Sequence, residues 1–189
     1  AIMGEAFQRA VSGVARPTVG LLNVGAEDQK GHEEIRGAAK LIREANIDFA
    51  FQGFVEGDDI AKGTVDVVVT DGFTGNIALK TGEGTARLVG QLLREALTSS
   101  LLAKLGAAIA YPALATLRKR MDPGSFNGAV FLGLNGLVVK SHGSANGPGF
   151  ASALEVAAKL ATSHYREEIA DNLARLSAGE AAAAAQNAG

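Results

Sequence analysis

The sequence predicts an α/β protein built on a mostly parallel sheet, and three observations carry that prediction. The runs Thr18-Val19-Gly20-Leu21-Leu22-Asn23-Val24, Phe49-Ala50-Phe51-Gln52-Gly53-Phe54-Val55-Glu56 and Val65-Asp66-Val67-Val68-Val69 are too continuously apolar for strands with one wet face. Segments with helical spacing of apolar residues alternate with them, as right-handed βαβ units require. Each run leads to a polar residue, Asn23, Glu56 or Asp71. In an open α/β sheet the crevice at the carboxyl ends of the strands is where ligands bind.

Composition bounds the function classes. A chain of 189 residues, 47% hydrophobic and only 20% charged, is globular rather than disordered and suits one domain or a large part of one. A net charge of -2 gives no global attraction to nucleic acid, and none is expected as a partner. With no cysteine, disulfides, thiolate catalysis and thiolate metal sites are excluded, and a reducing compartment fits. Ala1-Ile2-Met3-Gly4 lacks the basic and apolar blocks of an export signal, and Gly, Pro or Lys interrupts the longest apolar stretches, so a cytoplasmic protein is expected.

Taken in order, residues 2–14 read as a helix with Ile2, Ala6, Ala10 and Val14 on one stripe, broken at Arg16-Pro17. The first strand follows, then a polar loop from Ala26 to His32 and a helix from Glu33 to Glu44 that turns Ile35, Ala38, Ala39 and Ile42 inward. After the second strand, Gly57-Asp58-Asp59-Ile60 reads as a turn. Beyond the third strand, Asp71-Gly72 and Gly75 read as a glycine turn into a helix bearing Ile77 and Leu79. Such a turn offers free amides to an anion, with Asn76 and Lys80, four apart, on one helix face beside it. A long helix is expected from Gly84 to Lys104 through Leu88, Leu92, Leu93, Leu97 and Leu101, leading into an almost wholly apolar stretch that Pro112 bends or ends. Asn127-Gly128 and Asn135-Gly136 are turn signals around a strand at residues 129–133, and Leu137-Val138-Val139-Lys140 is the next strand. One final amphipathic helix is expected to run from Phe150 through Ile169 and Leu173. An Ala-rich tail at residues 177–189 is expected to fray, leaving residues 1–176 as the folded portion.

The apolar tip within residues 97–121 admits more than one use. Leu102, Leu105, Ile109 and Tyr111 are followed by Arg118, Lys119 and Arg120, a combination that suits core, a dimer interface or transient contact with an anionic membrane surface. Among the histidines, His32 and His164 read as surface residues, and no His/Asp spacing suggests a metal. His142 by itself reads as a loop histidine bonded to backbone.

Gly20-Leu21-Leu22-Asn23-Val24-Gly25, Lys30-Gly31, Val55-Glu56-Gly57, Asp71-Gly72-Phe73-Thr74-Gly75-Asn76 with Lys80, and Lys140-Ser141-His142-Gly143-Ser144 together resemble the bacterial phosphate acyltransferase (PlsX) family. The likeness covers about residues 1 to 170, in the family's order. It implies a three-layer α/β/α fold related to phosphotransacetylases and isopropylmalate dehydrogenases, and it places this sequence in the carboxyl-terminal portion of a longer chain. The implied reaction moves a fatty acyl group from acyl-acyl-carrier-protein to inorganic phosphate, giving acyl phosphate for phospholipid synthesis. No cofactor is expected. A homodimer is expected on other grounds, because a lone subunit would expose too much Leu and Ala around Leu97 to Leu117.

Phosphate is already a nucleophile, so that reaction needs no covalent enzyme step. The enzyme must neutralise phosphate, align it and stabilise the thioester oxyanion. On that resemblance Asn76, Lys80, Lys140 and His142 become the catalytic candidates. Asn23, Gly25, Lys30, Glu56, Asp71, Gly72, Gly75 and Ser144 become substrate-binding candidates. Alternatives are a phosphotransacetylase-type enzyme on another acyl thioester, or a non-catalytic module that binds acyl-carrier protein or membrane through Arg118, Lys119 and Arg120. A decarboxylating dehydrogenase of the related fold would need a metal carboxylate cluster, for which only the scattered Asp58, Asp59 and Asp71 are available.

Overall fold

A computed structural model describes residues 1–45, 50–121, 127–143 and 145–187; of residues 118–121 and 179–187 it describes the backbone. The elements run α1 (Ile2–Ser12), β1 (Thr18–Leu22), α2 (Glu33–Glu44), β2 (Ala50–Val55), α3 (Gly57–Lys62), β3 (Val67–Val69), α4 (Gly72–Thr98), α5 (Leu101–Met121), β4 (Ala129–Val130), β5 (Val139–Lys140), α6 (Gly147–Ala161) and α7 (Tyr165–Asn187). They form two compact units, one of residues 1–70, 130–138 and 156–189, the other of residues 71–129 and 139–155.

The first unit holds a three-stranded parallel sheet in the order β2-β1-β3, flanked by helices, as the α/β expectation requires. Parallel neighbours need crossover connections, and α2 and α3 supply them. In the centre of β1, Gly20 leaves room for Val55, whose Cγ1 would lie 2.7 Å from a Cβ placed there. The β1–β2 register slips between Val19 and Gly20, where Gly53 takes φ 90. Val19 and Ile2 are buried against Phe51, Val67 and Val69, and Leu21 with Phe54 against Ala39 of α2.

A further core joins α1, α6 and α7. Ala6, Leu160, Tyr165 and Ile169 are buried there, with Leu132 and Leu137 of the segment joining β4 to β5 packed against them. Glu5 is buried in α1 and accepts from Arg9 at 3.0 Å, and Arg9 also reaches Glu168 on α7 at 3.2 Å. A buried carboxylate is tolerated when it is paired in this way.

Several sequence expectations change. Residues 57–60 are not a turn but the start of α3, because the Asp59 carboxylate accepts from the Glu56 amide at 2.8 Å and caps the helix. The glycine turn at residues 72–75 is already helical, since α4 begins at Gly72. Neither long helix is continuous. The first breaks at Ser99 and Ser100, where Thr98 Oγ1 donates to Arg94 O at 2.8 Å, Ser99 Oγ to Ala96 O at 2.8 Å, and Ser100 Oγ accepts from Ala103 N at 3.1 Å. Hydroxyls thus satisfy the last carbonyls of α4 and cap α5, and the chain bends by 120°. The same device ends α6, where Thr162 Oγ1 donates to Ala158 O and Ser163 Oγ to Leu160 O. Pro112 neither ends nor divides α5, and the Ala-rich tail is helical to Asn187, as alanine's propensity favours. Phe49 and Phe126 lie outside the described residues.

Two measurements check this architecture. Leu160→Ala leaves a cavity at a side chain only 2% exposed and is expected to cost about 2–5 kcal/mol by urea denaturation. Asp66 joins the segment before β3 to the start of β1, accepting from Thr18 N and Thr18 Oγ1, each at 2.7 Å. Those bonds, the amide's first, hold its carboxyl below the ordinary value. A group that binds its proton more weakly folded than unfolded contributes stability in full above about 3.9, the unfolded value, and loses it as pH falls through the depressed one. Asp66→Ala is therefore expected to be less stable than wild type at pH 7, with the difference closing in acid.

Candidate active site

In the first unit the candidates gather where β1 ends. Asn23 continues the ladder through its amide, which donates to Val55 O at 2.9 Å, and its side chain is only 7% exposed. Nδ2 donates to Lys30 O at 3.0 Å, folding the loop of residues 24–31 back over the strand end. Gly31 closes that loop with φ 85, and a Cβ there would fall 1.9 Å from Asn23 Oδ1. Asn23 therefore lies beneath the loop and shapes it. Gly25 leaves room for the Lys30 stem, which a Cβ there would meet at 2.4 Å.

Lys30 itself is half-exposed and pairs with Glu27 at 2.9 Å. The hydrogen bond Lys30 donates to Glu27, the Glu27 charge and then that of Glu56 hold the ammonium above its ordinary value, so Lys30 stays cationic. Loop residues are tied down further: Arg36 donates to Gln29 O at 3.0 Å and Arg43 pairs with Asp28 at 2.8 Å. The loop thus presents one cation on a braced backbone.

The second unit carries the remaining candidates. Asp71 is the N-cap of α4, accepting from Phe73 N at 2.9 Å and Thr74 N at 2.8 Å through Oδ1. Thr74, side chain and then amide, is the main cause that holds its carboxyl below the ordinary range, so Asp71 is anionic at neutral pH. Two amides expected to meet a substrate anion are taken by this carboxylate, and the Gly75 amide already donates to Asp71 O. The N-terminal turn of α4 is a capped helix start rather than an open phosphate cradle. Gly72 is exposed, and a side chain there would meet nothing within 4 Å.

Asn76 and Lys80 are exposed on the next turns of α4, and Lys140 and His142 are exposed at the end of β5. All four belong to the second unit. Ser144 lies outside the described residues, as do the side chains of Arg118, Lys119 and Arg120.

One residue that sequence reading took only for a turn signal organises the end of β5. Asn127 is 7% exposed, its Nδ2 donates to Ser141 Oγ at 2.7 Å and to Gly149 O at 2.9 Å, and its Oδ1 accepts from the His142 amide at 2.8 Å. Its partners lie 14 to 22 positions away, so no local pattern announces them.

The apolar tip is not core. Leu101 is 86% exposed, Leu102 79% and Ile109 78%, with Leu105 and Tyr111 also exposed, and α4 has no buried residue. Among the described residues no single helix is long and apolar enough to cross a membrane; α4 and α5 pass that test only as a bent pair.

The loop clamp is testable by comparing two glycines in the left-handed region. Gly13→Ala places its Cβ in open space at φ 75 and is expected to cost only backbone strain, about 1–2 kcal/mol. Gly31→Ala adds the collision with Asn23 and is expected to cost more by urea denaturation and to speed proteolysis of residues 24–31. Equal costs would mean that Asn23 does not hold the loop.

Comparison with known proteins gives the family. The family model for "Fatty acid synthesis protein" matches residues 1–168. A phosphate acyltransferase of Caulobacter vibrioides is 63% identical over 182 residues, covering 96% of this chain and 51% of that protein. Those of Maricaulis maris and Rhodospirillum centenum are 60% and 56% identical, covering 95% and 97% of this chain and 52% of each relative. The chain thus spans about half the length of the curated relatives it matches. With the family model covering nearly all of it, the chain belongs to the fatty acid synthesis protein family, alongside relatives that carry the name phosphate acyltransferase.

Proposed function

We propose that this chain is part of a phosphate acyltransferase that moves a fatty acyl group from acyl-acyl-carrier-protein to inorganic phosphate, for phospholipid synthesis. The observation that carries the reading is the 53–63% identity to relatives of that name over more than nine-tenths of the chain. In the proposed step a phosphate oxygen attacks the thioester carbonyl, the carbonyl oxygen becomes an oxyanion, and the carbon–sulfur bond breaks to release the carrier thiol as it gains a proton. Acyl phosphate is the other product.

The residues suit those tasks. Lys80 and Lys140 are exposed cations of one compact unit and supply the charge that phosphate needs. Asn76 has an amide N–H donor for the oxyanion, and His142 a group able to donate to the oxyanion or to the departing sulfur. With the α4 amides occupied by Asp71, phosphate recognition rests on side chains rather than on the helix terminus. In the first unit, taken by itself, Lys30 is a cation on a braced loop, with Asn23, Gly25 and Glu56 setting its position and charge.

Homodimer formation and transient membrane contact through the α4–α5 arm belong to the same reading. Leu102, Leu105, Ile109 and Tyr111 expose apolar surface that a second subunit or a bilayer surface would cover, and Arg118, Lys119 and Arg120 follow on α5. Acyl phosphate is a reactive amphiphile, so release at a membrane limits its hydrolysis. A cytoplasmic enzyme meeting the inner membrane surface is the setting implied.

Turnover of acyl-acyl-carrier-protein with phosphate by the full-length protein tests the reaction. Lys80→Ala and Lys140→Ala are each expected to lower kcat/KM by about 10²–10³-fold, the scale of losing one preorganised charge contact, with little change in Tm. Full activity in both would remove these lysines from the mechanism. For the arm, wild type is expected to float with anionic liposomes at low salt and Ile109→Glu to stay behind, both sedimenting as dimers. A wild type that never floats would leave the arm as a subunit interface.

A further inference from the structure

Asn127 has the properties of a residue placed to hold its neighbours. Its side chain uses its full hydrogen-bonding capacity: Nδ2 donates to Ser141 Oγ and Gly149 O, and Oδ1 accepts from His142 N and from Gly128 N at 3.0 Å. Its own carbonyl accepts from Ser152 Oγ at 3.4 Å. One buried amide therefore ties the segment after α5 to the end of β5 and the first turn of α6, all within the second unit. Of the side chains this size only an amide has two donor hydrogens and acceptor lone pairs at once; aspartate lacks the donors and leucine has neither.

Burying an amide stabilises nothing unless every bond is made, and an apolar side chain would fill the volume without that demand. What the amide adds is direction. His142 is exposed, yet its amide is anchored at 2.8 Å to a group that is 7% exposed, and its carbonyl accepts from Ala145 N at 3.0 Å. Lys140, two residues earlier, leaves the same backbone, and the intervening Ser141 is held by the other end of Asn127. A reactive side chain on a backbone locked from beneath is how a site gains the sub-ångström placement catalysis needs.

We propose that Asn127 is the positioning residue of the acyl-transfer site, setting where the His142 side chain and the Lys140 ammonium stand by clamping the backbone between them. The proposal rests on the reading that His142 and Lys140 serve acyl transfer.

The test uses the full-length protein with Asn127→Ala, Asn127→Asp and, in parallel, His142→Ala. Asn127→Asp keeps the volume and both acceptor roles but turns a carboxylate oxygen toward Gly149 O, so it reads position in a folded site. Misplacement by about 1 Å costs on the order of 10²-fold, so Asn127→Ala is expected to lower kcat about 100-fold and Asn127→Asp about 10-fold, with KM for the thioester within about threefold of wild type. In spectra of ring-labelled histidine the His142 signals are expected to move and broaden in both variants, while those of His32 and His164 stay in place. If Asn127→Ala does not fold, Asn127→Asp alone decides. A folded Asn127 variant with kcat within threefold of wild type and unmoved His142 signals, beside a crippled His142→Ala, overturns the positioning role. Undiminished turnover in His142→Ala instead overturns the catalytic reading on which the proposal rests, whatever the Asn127 variants do.

Discussion

Parallel pairing of β1 with both β2 and β3 is the constraint from which the first unit follows. A strand bonded on both sides and covered by helices has no wet face, so its residues must be apolar throughout, and its neighbours can be reached only by crossovers. Val19 and Leu21 meet the first demand, α2 and α3 the second. Gly20 is the point at which the close approach of β2 leaves no space for a side chain. Because β1 is central, the loop that leaves it at Asn23 starts from a rigid base, and that is where a cation on a braced loop is found.

Two buried asparagines show how differently one side chain serves a strand end. Asn23 makes one side-chain bond, to Lys30 O, and excludes a Cβ at Gly31, so it shapes a loop largely by occupying space. Asn127 makes four side-chain bonds and holds the backbone at Ser141 and His142. In both places the exposed, chemically capable residue is a neighbour, Lys30 or His142, and the buried one supplies its support. That division keeps charge in contact with water; Asn127 meets the cost of burying its amide by pairing, whereas Asn23 leaves Oδ1 buried without a partner among the described residues.

Hydroxyl-bearing residues occupy the ends of α4 and α6 and the start of α5. Thr98, Ser99 and Ser100 end α4 and start α5, and Thr162 with Ser163 ends α6, in each case by turning oxygen atoms onto terminal carbonyls or amides. At the first break the chain turns by 120°, and on the arm so formed Leu101, Leu102 and Leu105 are exposed. Apolar surface of that extent is the observation behind the proposed dimer and membrane contacts.

Much of the fold was legible in the sequence because it rests on local periodicity. Continuous apolar runs marked β1 to β3, and helical spacing marked α2 to its exact ends at Glu33 and Glu44. Five motif blocks in order also pointed to the family that the comparisons bear out. Less was legible where a side chain had two possible partners. Asp71 was read within a glycine turn, whereas its carboxylate caps a helix start, and Gly57-Asp58-Asp59-Ile60 was read as a turn although the Asp59 cap on the Glu56 amide starts a helix. Serine and threonine inside apolar stretches were read as helix, because periodicity counts apolar residues and is blind to where hydroxyls point. Only tertiary structure revealed Asn127, whose partners Ser141, His142 and Gly149 are distant in sequence: a hydrogen bond across 14 to 22 residues depends on where the chain returns, and no window of neighbours contains that information.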